Sequence, residues 1–420
     1  MKRYILIPLI MFSLCLEFKP TSAQNSCWIT KTSMSVARGV MAEAVLNNTI
    51  YVIGGSLDAY TSTWVVEAYD AATDSWALKA NLPQKLCGSS AGTVNDKIYV
   101  IGGSTSIFGS GHVVGSVYEY NPVSDSWMGK SNIPTPLMFA TSAVVNGKIY
   151  VIGGCPFGLN SAYKSVYEYD SATDTWAQKS DMPTARFLAS ATAVDGKIYV
   201  FGGMPNLYGN GFSTVEVYDP SADTWNVKEN MPIPRCAHSS SAVNGYIYIF
   251  SGGERMGTVN NNVLEYNPTD AIWSTKTSIP TPRVGLAACF IEGKIYVIGG
   301  MDISNIRLSK VEAYDPSIDI TGVEEQNNSE NTPVDYLLYQ NYPNPFNPTT
   351  KLSWQLPVGS RQTLKIYDVL GRELATLVNE YKLAGKYEVE FDASNLPCGI
   401  YFYQIKAGNF IQTRKMILLK

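Results

Sequence analysis

Histidine is almost missing from this chain: its 420 residues hold only two, His112 and His238. Charged side chains are scarce as well, at 16% of residues, and no basic run or stripe occurs, which argues against nucleic acid as a partner. No Cys-x-x-Cys or histidine-rich spacing offers ligands to a metal. No Gly-x-Ser-x-Gly elbow presents a serine nucleophile. After the N-terminal segment, no apolar run is long enough to span a bilayer. These absences leave no catalytic residue, no metal site and no cofactor to nominate from motifs.

Residues 1–23 have the parts of a secretory signal. Lys2 and Arg3 precede an apolar run from Tyr4 to Leu16, and Thr21-Ser22-Ala23 supply small residues for cleavage after Ala23. Without that segment the chain has 29 basic and 35 acidic side chains, a net charge of −6.

Glycine pairs and aromatics are what the chain has in quantity. A β-branched and aromatic run closes on two glycines six times, at Gly54-Gly55, Gly102-Gly103, Gly153-Gly154, Gly202-Gly203, Gly252-Gly253 and Gly299-Gly300. Successive copies lie 48, 51, 49, 50 and 47 residues apart. A period near fifty made of strand-forming residues indicates radially repeated four-stranded sheets. Before each pair, a strand leads through a polar turn such as Asn146-Gly147 or Asp195-Gly196 into the Ile-Tyr-Val strand, a hairpin signal. After each pair comes a loop, then a strand ending at Tyr69, Tyr120, Tyr169, Tyr218, Tyr266 or Tyr314. Seven residues beyond the first five of these tyrosines stand Trp76, Trp127, Trp176, Trp225 and Trp273, each opening a fourth strand. Asp70, Asp170, Asp219 and Asp315 can cap the turn into it.

Thr321 occupies the sixth tryptophan position, but Trp28 precedes Gly54 by the interval that separates Trp76 from Gly102. The segment Cys27-Trp28-Ile29 is therefore expected to complete the last sheet and close the ring. The fifth copy, Ile-Tyr-Ile-Phe-Ser-Gly-Gly, is one residue longer, so Ser251 is expected to form a β-bulge. The expected fold is all-β, six sheets in a propeller over 24–318.

The glycine pairs, the Tyr-Asp and tryptophan positions, and the stretches PTAR, PIPR and PTPR closing on Arg186, Arg235 and Arg283 resemble the kelch repeat over residues 27–318. That resemblance implies a six-bladed propeller whose inner strands line a central channel, with ligands bound on the loop face.

Residues 319–335 are polar and mildly acidic, as suits a linker. Residues 336–420 hold several short strand signals and read as a small Ig-like β-sandwich. The stretch from Gln340 to Thr350, Tyr367-Asp368-Val369-Leu370-Gly371-Arg372, Gly399-Ile400-Tyr401-Phe402-Tyr403 and the end Lys415–Lys420 resemble the C-terminal sorting domain of the type IX secretion system. Phe391 and Cys398 stand where that family usually has Trp and Ser. The resemblance implies an extracellular or outer-membrane-surface protein that engages the type IX machinery through residues 336–420. A monomer is expected.

Six cysteines remain after the signal. Cys27 and Cys289 fall on the outermost and innermost strands of one blade, about 14 Å apart at the usual strand spacing, beyond the reach of a disulfide. Cys87 and Cys236 share a register on opposite sides of the ring. A disulfide framework is not expected, and a single bridge from Cys155 stays open.

Arg38, Arg186, Arg235 and Arg283 lie ten residues after a tryptophan, with Leu86 and Leu137 in that place in blades two and three. The family resemblance places this position at the channel mouth, where converging guanidiniums would favour a carboxylate or sulfate. Equally, each arginine could bond within its own blade. The longest loops, 104–115, 155–164 and 204–213, carry Phe108, His112, Tyr163 and Tyr208, suited to sugar or protein contact or to covering a neighbouring blade. Glu254-Arg255 and Asp302 add charge to blades five and six. The copper oxidases of this architecture need more histidines than this chain has, and His238 reads as a satisfied inner-strand residue.

Three functions follow. The first is a secreted or surface module that binds a glycan or extracellular protein through its loop face, by Arg38, Arg186, Arg235, Arg283, Tyr163, Tyr208 and Glu254. The second resembles the sialic-acid mutarotases among six-bladed kelch proteins, with Glu254 or Glu43 as base and Arg186, Arg235 and Arg283 holding the sugar carboxylate. The third is a passive surface scaffold.

Overall fold

A computed structural model describes residues 27–319, 336–356, 360–382, 385–408 and 410–419. The signal segment 1–23 and the linker from 320 to 335 lie outside the described residues. The chain forms two compact units that part near residue 325.

In the first unit six antiparallel four-stranded sheets follow the chain order. The inner strands are Ala42–Leu46, Ser90–Val94, Thr141–Val145, Ser190–Val194, Ser239–Val243 and Ala287–Ile291. Their side chains alternate: Ala42, Ala44 and Leu46 are buried, while Glu43 and Val45 keep some exposure. The second strands, such as Lys97–Ile101, are covered on both faces by neighbouring blades, which is why Ile-Tyr-Val-Ile is apolar throughout. Trp28–Lys31 pairs with Val311–Tyr314, Trp28 opposite Tyr314, and closes blade six as the sequence predicts.

Five of the six junctions between blades carry a three-part latch. The Tyr69 hydroxyl donates to Asp74 at 2.6 Å, and the same carboxylate accepts the Thr32 N–H of the preceding blade at 2.9 Å. The Trp76 indole donates back to the Thr32 carbonyl at 2.8 Å. The pattern recurs through Asp125, Asp174, Asp223 and Asp319. Asp319 is buried in this role. The propeller thus extends one residue past the predicted boundary at 318, because the last latch needs that carboxylate.

Blade five departs from the plan. Ala271 occupies the latch position, so the Tyr266 hydroxyl has no hydrogen-bond partner, and the Trp273 indole reaches Glu229 only at 3.4 Å. Ser251 is not a bulge. It takes the place of the first glycine, with φ of 55° against 56° at Gly202, and Gly252 takes the place of the second. The motif of this blade is Ser251-Gly252, and Gly253 falls one position beyond it. Elsewhere the first position is crowded: a Cβ on Gly202 would lie 2.3 Å from the Arg235 carbonyl. Ser251 is accommodated with its hydroxyl donating to the corresponding Arg283 carbonyl at 2.6 Å.

The second unit packs the sheet of Leu337–Leu338, Thr349–Leu356 and Gly385–Asp392 against the sheet of Glu373–Lys382, Ser360–Tyr367, Gly399–Ala407 and Phe410–Leu418. Leu352, Trp354 and Phe391 from one sheet meet Leu364, Ile366, Tyr403 and Met416 from the other. Asn341 of the Gln-Asn-Tyr-Pro motif is buried, its amide donating to Pro343 O and Thr350 Oγ1, both at 3.0 Å. All six described cysteines are free, and five are buried.

Candidate functional site

The four arginines do not reach the channel mouth. Arg38, Arg235 and Arg283 are 0% exposed and Arg186 is 1% exposed. Each lies within its own blade and donates to carbonyls where the second and third strands part. Arg186 Nη1 reaches Gly202 O at 2.8 Å and Thr214 O at 3.3 Å, and Arg235 Nη1 reaches Ser251 O at 2.8 Å and Asn262 O at 3.0 Å. Three also meet a glutamate of the third strand: Arg38 with Glu67 at 2.8 Å, Arg186 with Glu216 at 2.9 Å, and Arg283 with Glu312. The expectation of a convergent cationic mouth is corrected, because buried carbonyls and carboxylates take the guanidinium donors. Blades two and three place Leu86 and Leu137 there, and have Tyr118 and Tyr167 at the register position of the glutamates.

Arg235 is the exception. Leu264 stands where the other arginine-bearing blades have glutamate, and among the described residues Arg235 Nε and Nη2 have no hydrogen-bond partner. Burial brings its pKa down to about 10. His238 beside it is also buried, and burial with the Arg235 and Arg186 charges lowers it to about 3, so the imidazole is neutral.

The channel is built from the inner strands. At its loop-face end Val40, Gly88, Phe139, Leu188, Ala237 and Gly285, one per blade, all have positive φ. Each N–H donates to the carbonyl of the residue before it around the ring, at 2.8–3.0 Å, and Val40 N–H to Gly285 O closes the circle. Holding four non-glycine residues in that region costs roughly 1–2 kcal/mol each, offset by six buried backbone hydrogen bonds. Val40, Phe139, Leu188 and Ala237 line both a cavity inside the channel and an apolar cavity above it, so this collar divides the two.

The inner cavity has a volume of about 190 Å³. Among the described residues Glu43 is its one acidic residue, and no lysine or arginine lines it. The other blades place Ala91, Ser142, Ala191, Ser240 and Ala288 in the same register. Burial raises the Glu43 carboxyl to about 7.

Above the collar the long loops fold inward. Phe108 N–H donates to Ala59 O, Leu207 N–H to Leu159 O, and Gly211 N–H to Glu254 O, at 3.0, 2.9 and 2.6 Å. Ile107 and Leu159 are buried, with Phe108 and Leu207 packed on them. The apolar cavity, about 60 Å³, lies between this cap and the loops of blades five and six. Met256 and Ile303 line it and are 40% and 70% exposed, and Tyr208, at 90%, stands on the same face. Glu254 is exposed on the loop bonded to that of Tyr208. Tyr163 sits apart, half-buried, its backbone bonded to Gly154 and Arg186. Of the seven ligand-binding candidates, the loop pairing draws together Tyr208 and Glu254 on the exposed face, while Tyr163 and Arg186 meet through a backbone bond.

Sequence reasoning missed the glutamate partners and the latch aspartates. The latch was written two residues before Trp76, Trp127, Trp176 and Trp225, and the partner two residues before Tyr69, Tyr218 and Tyr314.

A blade plan of this kind, closed by its own N-terminal strand, defines a kelch-type propeller. The family described as KLHDC2/KLHL20/DRC7 Kelch-repeats domain matches residues 39–250 and 141–320, and the Secretion system C-terminal sorting domain matches residues 340–419. The chain belongs to the kelch-repeat family and carries a type IX secretion sorting domain. Human Kelch repeat and BTB domain-containing protein 2 is 29% identical over 143 residues, 34% of this chain and 21% of that protein. Beta-scruin of Limulus polyphemus is 26% identical over 130 residues, 30% of this chain and 14% of that protein. The chain thus spans about a fifth or less of the length of these relatives. The solved structure of YjhT aligns with a TM-score of 0.60 at 16% identity, covering 67% of this chain and 95% of that one, a likeness of fold. The sorting domain implies secretion or surface display and contact with the secretion machinery. Among the described residues no helix is long and apolar enough to cross a membrane.

Proposed function

We propose that the propeller is an extracellular binding module that recognises a protein ligand through its loop face after export by the sorting domain. The observation that carries this reading is the apolar cavity beside the exposed Met256 and Ile303, with Tyr60, Tyr208 and Ile306 exposed on loops of the same face. Apolar side chains left in water around a preformed apolar cavity favour association with a partner. Aliphatic Met and Ile suit a protein better than a sugar, which stacks on aromatic rings and pairs with amides. The mutarotase reading loses its carboxylate clamp, since the arginines are committed inside their blades.

The test is a binding screen of the mature full chain against a display library of extracellular protein domains and a glycan array, repeated with Ile303→Asp. The expected result is a protein ligand whose affinity falls at least tenfold in Ile303→Asp while the melting temperature holds. A glycan ligand unaffected by Ile303→Asp would overturn the reading.

A further inference from the structure

The cavity below the collar has chemistry unlike the loop face, and nothing in the binding role above uses it. Its one charge is the Glu43 carboxylate, on the inner strand of blade one. Glu43 keeps partial exposure and lines the cavity.

Three of the hydroxyls around it have their protons committed elsewhere. Ser89 Oγ donates to Gly102 O at 2.9 Å, Ser90 Oγ to Ala140 O at 2.9 Å and Ser142 Oγ to Ala91 O at 2.8 Å. Each such oxygen keeps lone pairs free to accept. The collar N–H groups are likewise spent on the ring of backbone bonds. The wall thus offers accepting oxygens beside the carboxylate, and the buried Ser190 Oγ and His238 ring nitrogens have no hydrogen-bond partner among the described residues. An ionised carboxylate in such a wall calls for a cation with several N–H donors. Small residues in the equivalent register of the other five blades leave room beside the carboxylate, and about 190 Å³ limits the guest to a few heavy atoms.

We infer that this channel cavity is a second binding site, which takes a small primary ammonium compound with its –NH₃⁺ group on the Glu43 carboxylate. The titratable groups facing Glu43 do not compete for it. Cys289, on the adjacent inner strand, is a buried thiol pushed well up by desolvation, and His238 on the far wall is neutral. The collar separates this site from the loop face, so the two stand or fall independently.

The experiment is isothermal titration calorimetry of the mature full chain with ethanolamine, ethylene glycol serving as the uncharged match. Ethanolamine is expected to bind, ethylene glycol at least tenfold more weakly, and Glu43→Gln is expected to lose at least tenfold in affinity for the amine. Glu390→Gln, an exposed position on the strand Gly385–Asp392 of the second unit, is expected to bind as the parent does. Affinity is expected to rise roughly tenfold from pH 6 to pH 8, because the carboxyl must ionise while the amine stays protonated throughout. Absence of ethanolamine binding at millimolar concentration, or equal affinity in Glu43→Gln, overturns the inference. Should that variant fail to fold, the parent's pH profile decides: an affinity flat from pH 6 to 8 overturns it.

Discussion

Blades four and five are neighbours on one structural plan, and they treat the same buried groups differently. In blade four, Arg186 bonds the carbonyls of Gly202 and Thr214 and pairs with Glu216, while Tyr218 donates to Asp223. In blade five, Arg235 bonds the equivalent carbonyls of Ser251 and Asn262 but faces Leu264, and Tyr266 faces Ala271. Blades two and three solve the same position with leucine, 1% exposed in each. The repeat thus has two internally consistent solutions, an ion pair or an apolar pair. Blade five holds half of each. A buried charge whose partner is gone costs more than either complete solution, so blade five is the weak sector of the ring, and the difference assigns the arginines a role in holding strands together.

Making blade four resemble blade five should have the largest effect. Glu216→Leu strands Arg186 as Arg235 is stranded, and a loss of about 3–5 kcal/mol is expected, read by chemical denaturation of the full chain. A loss under 1 kcal/mol would mean that the glutamate contributes little. Making blade five resemble its neighbours should have a smaller effect of opposite sign. Ala271→Asp supplies the missing latch acceptor for Tyr266, and aspartate tolerates the local φ of 58° better than alanine. A gain of about 1 kcal/mol is expected, seen as a higher melting temperature, and no gain would show that the latch geometry is absent there.

The ring architecture was legible because it rests on periodic features: glycine pairs, hairpin turns, and the Trp28 spacing that announced the closure. The sorting domain was legible from its motifs. Blade five hides its motif in the sequence, because the adjacent glycines Gly252-Gly253 are not the structural pair Ser251-Gly252. Trp225 stands 27 residues before Gly252, as Trp176 does before Gly203, and that interval locates the true pair. The arginines were misplaced for another reason. Sequence fixes which blade and loop a residue belongs to, but whether its side chain turns into the blade or out to the channel depends on carbonyls and carboxylates on strands up to thirty residues away, such as Glu67 for Arg38. Glu43 needed the opposite information. Its register on an inner strand was readable, but its isolation appears only when six inner strands are set around one axis.

The most direct measurement compares Arg235→Leu with Arg186→Leu in the same denaturation assay. Removing Arg235 completes an apolar pair with Leu264, so stability should hold or rise, as blades two and three imply. Removing Arg186 leaves Glu216 buried without its cation, and a loss of about 3–5 kcal/mol is expected. Equal losses in the two variants would contradict the account, because the arginines would then act alike whether or not a carboxylate faces them.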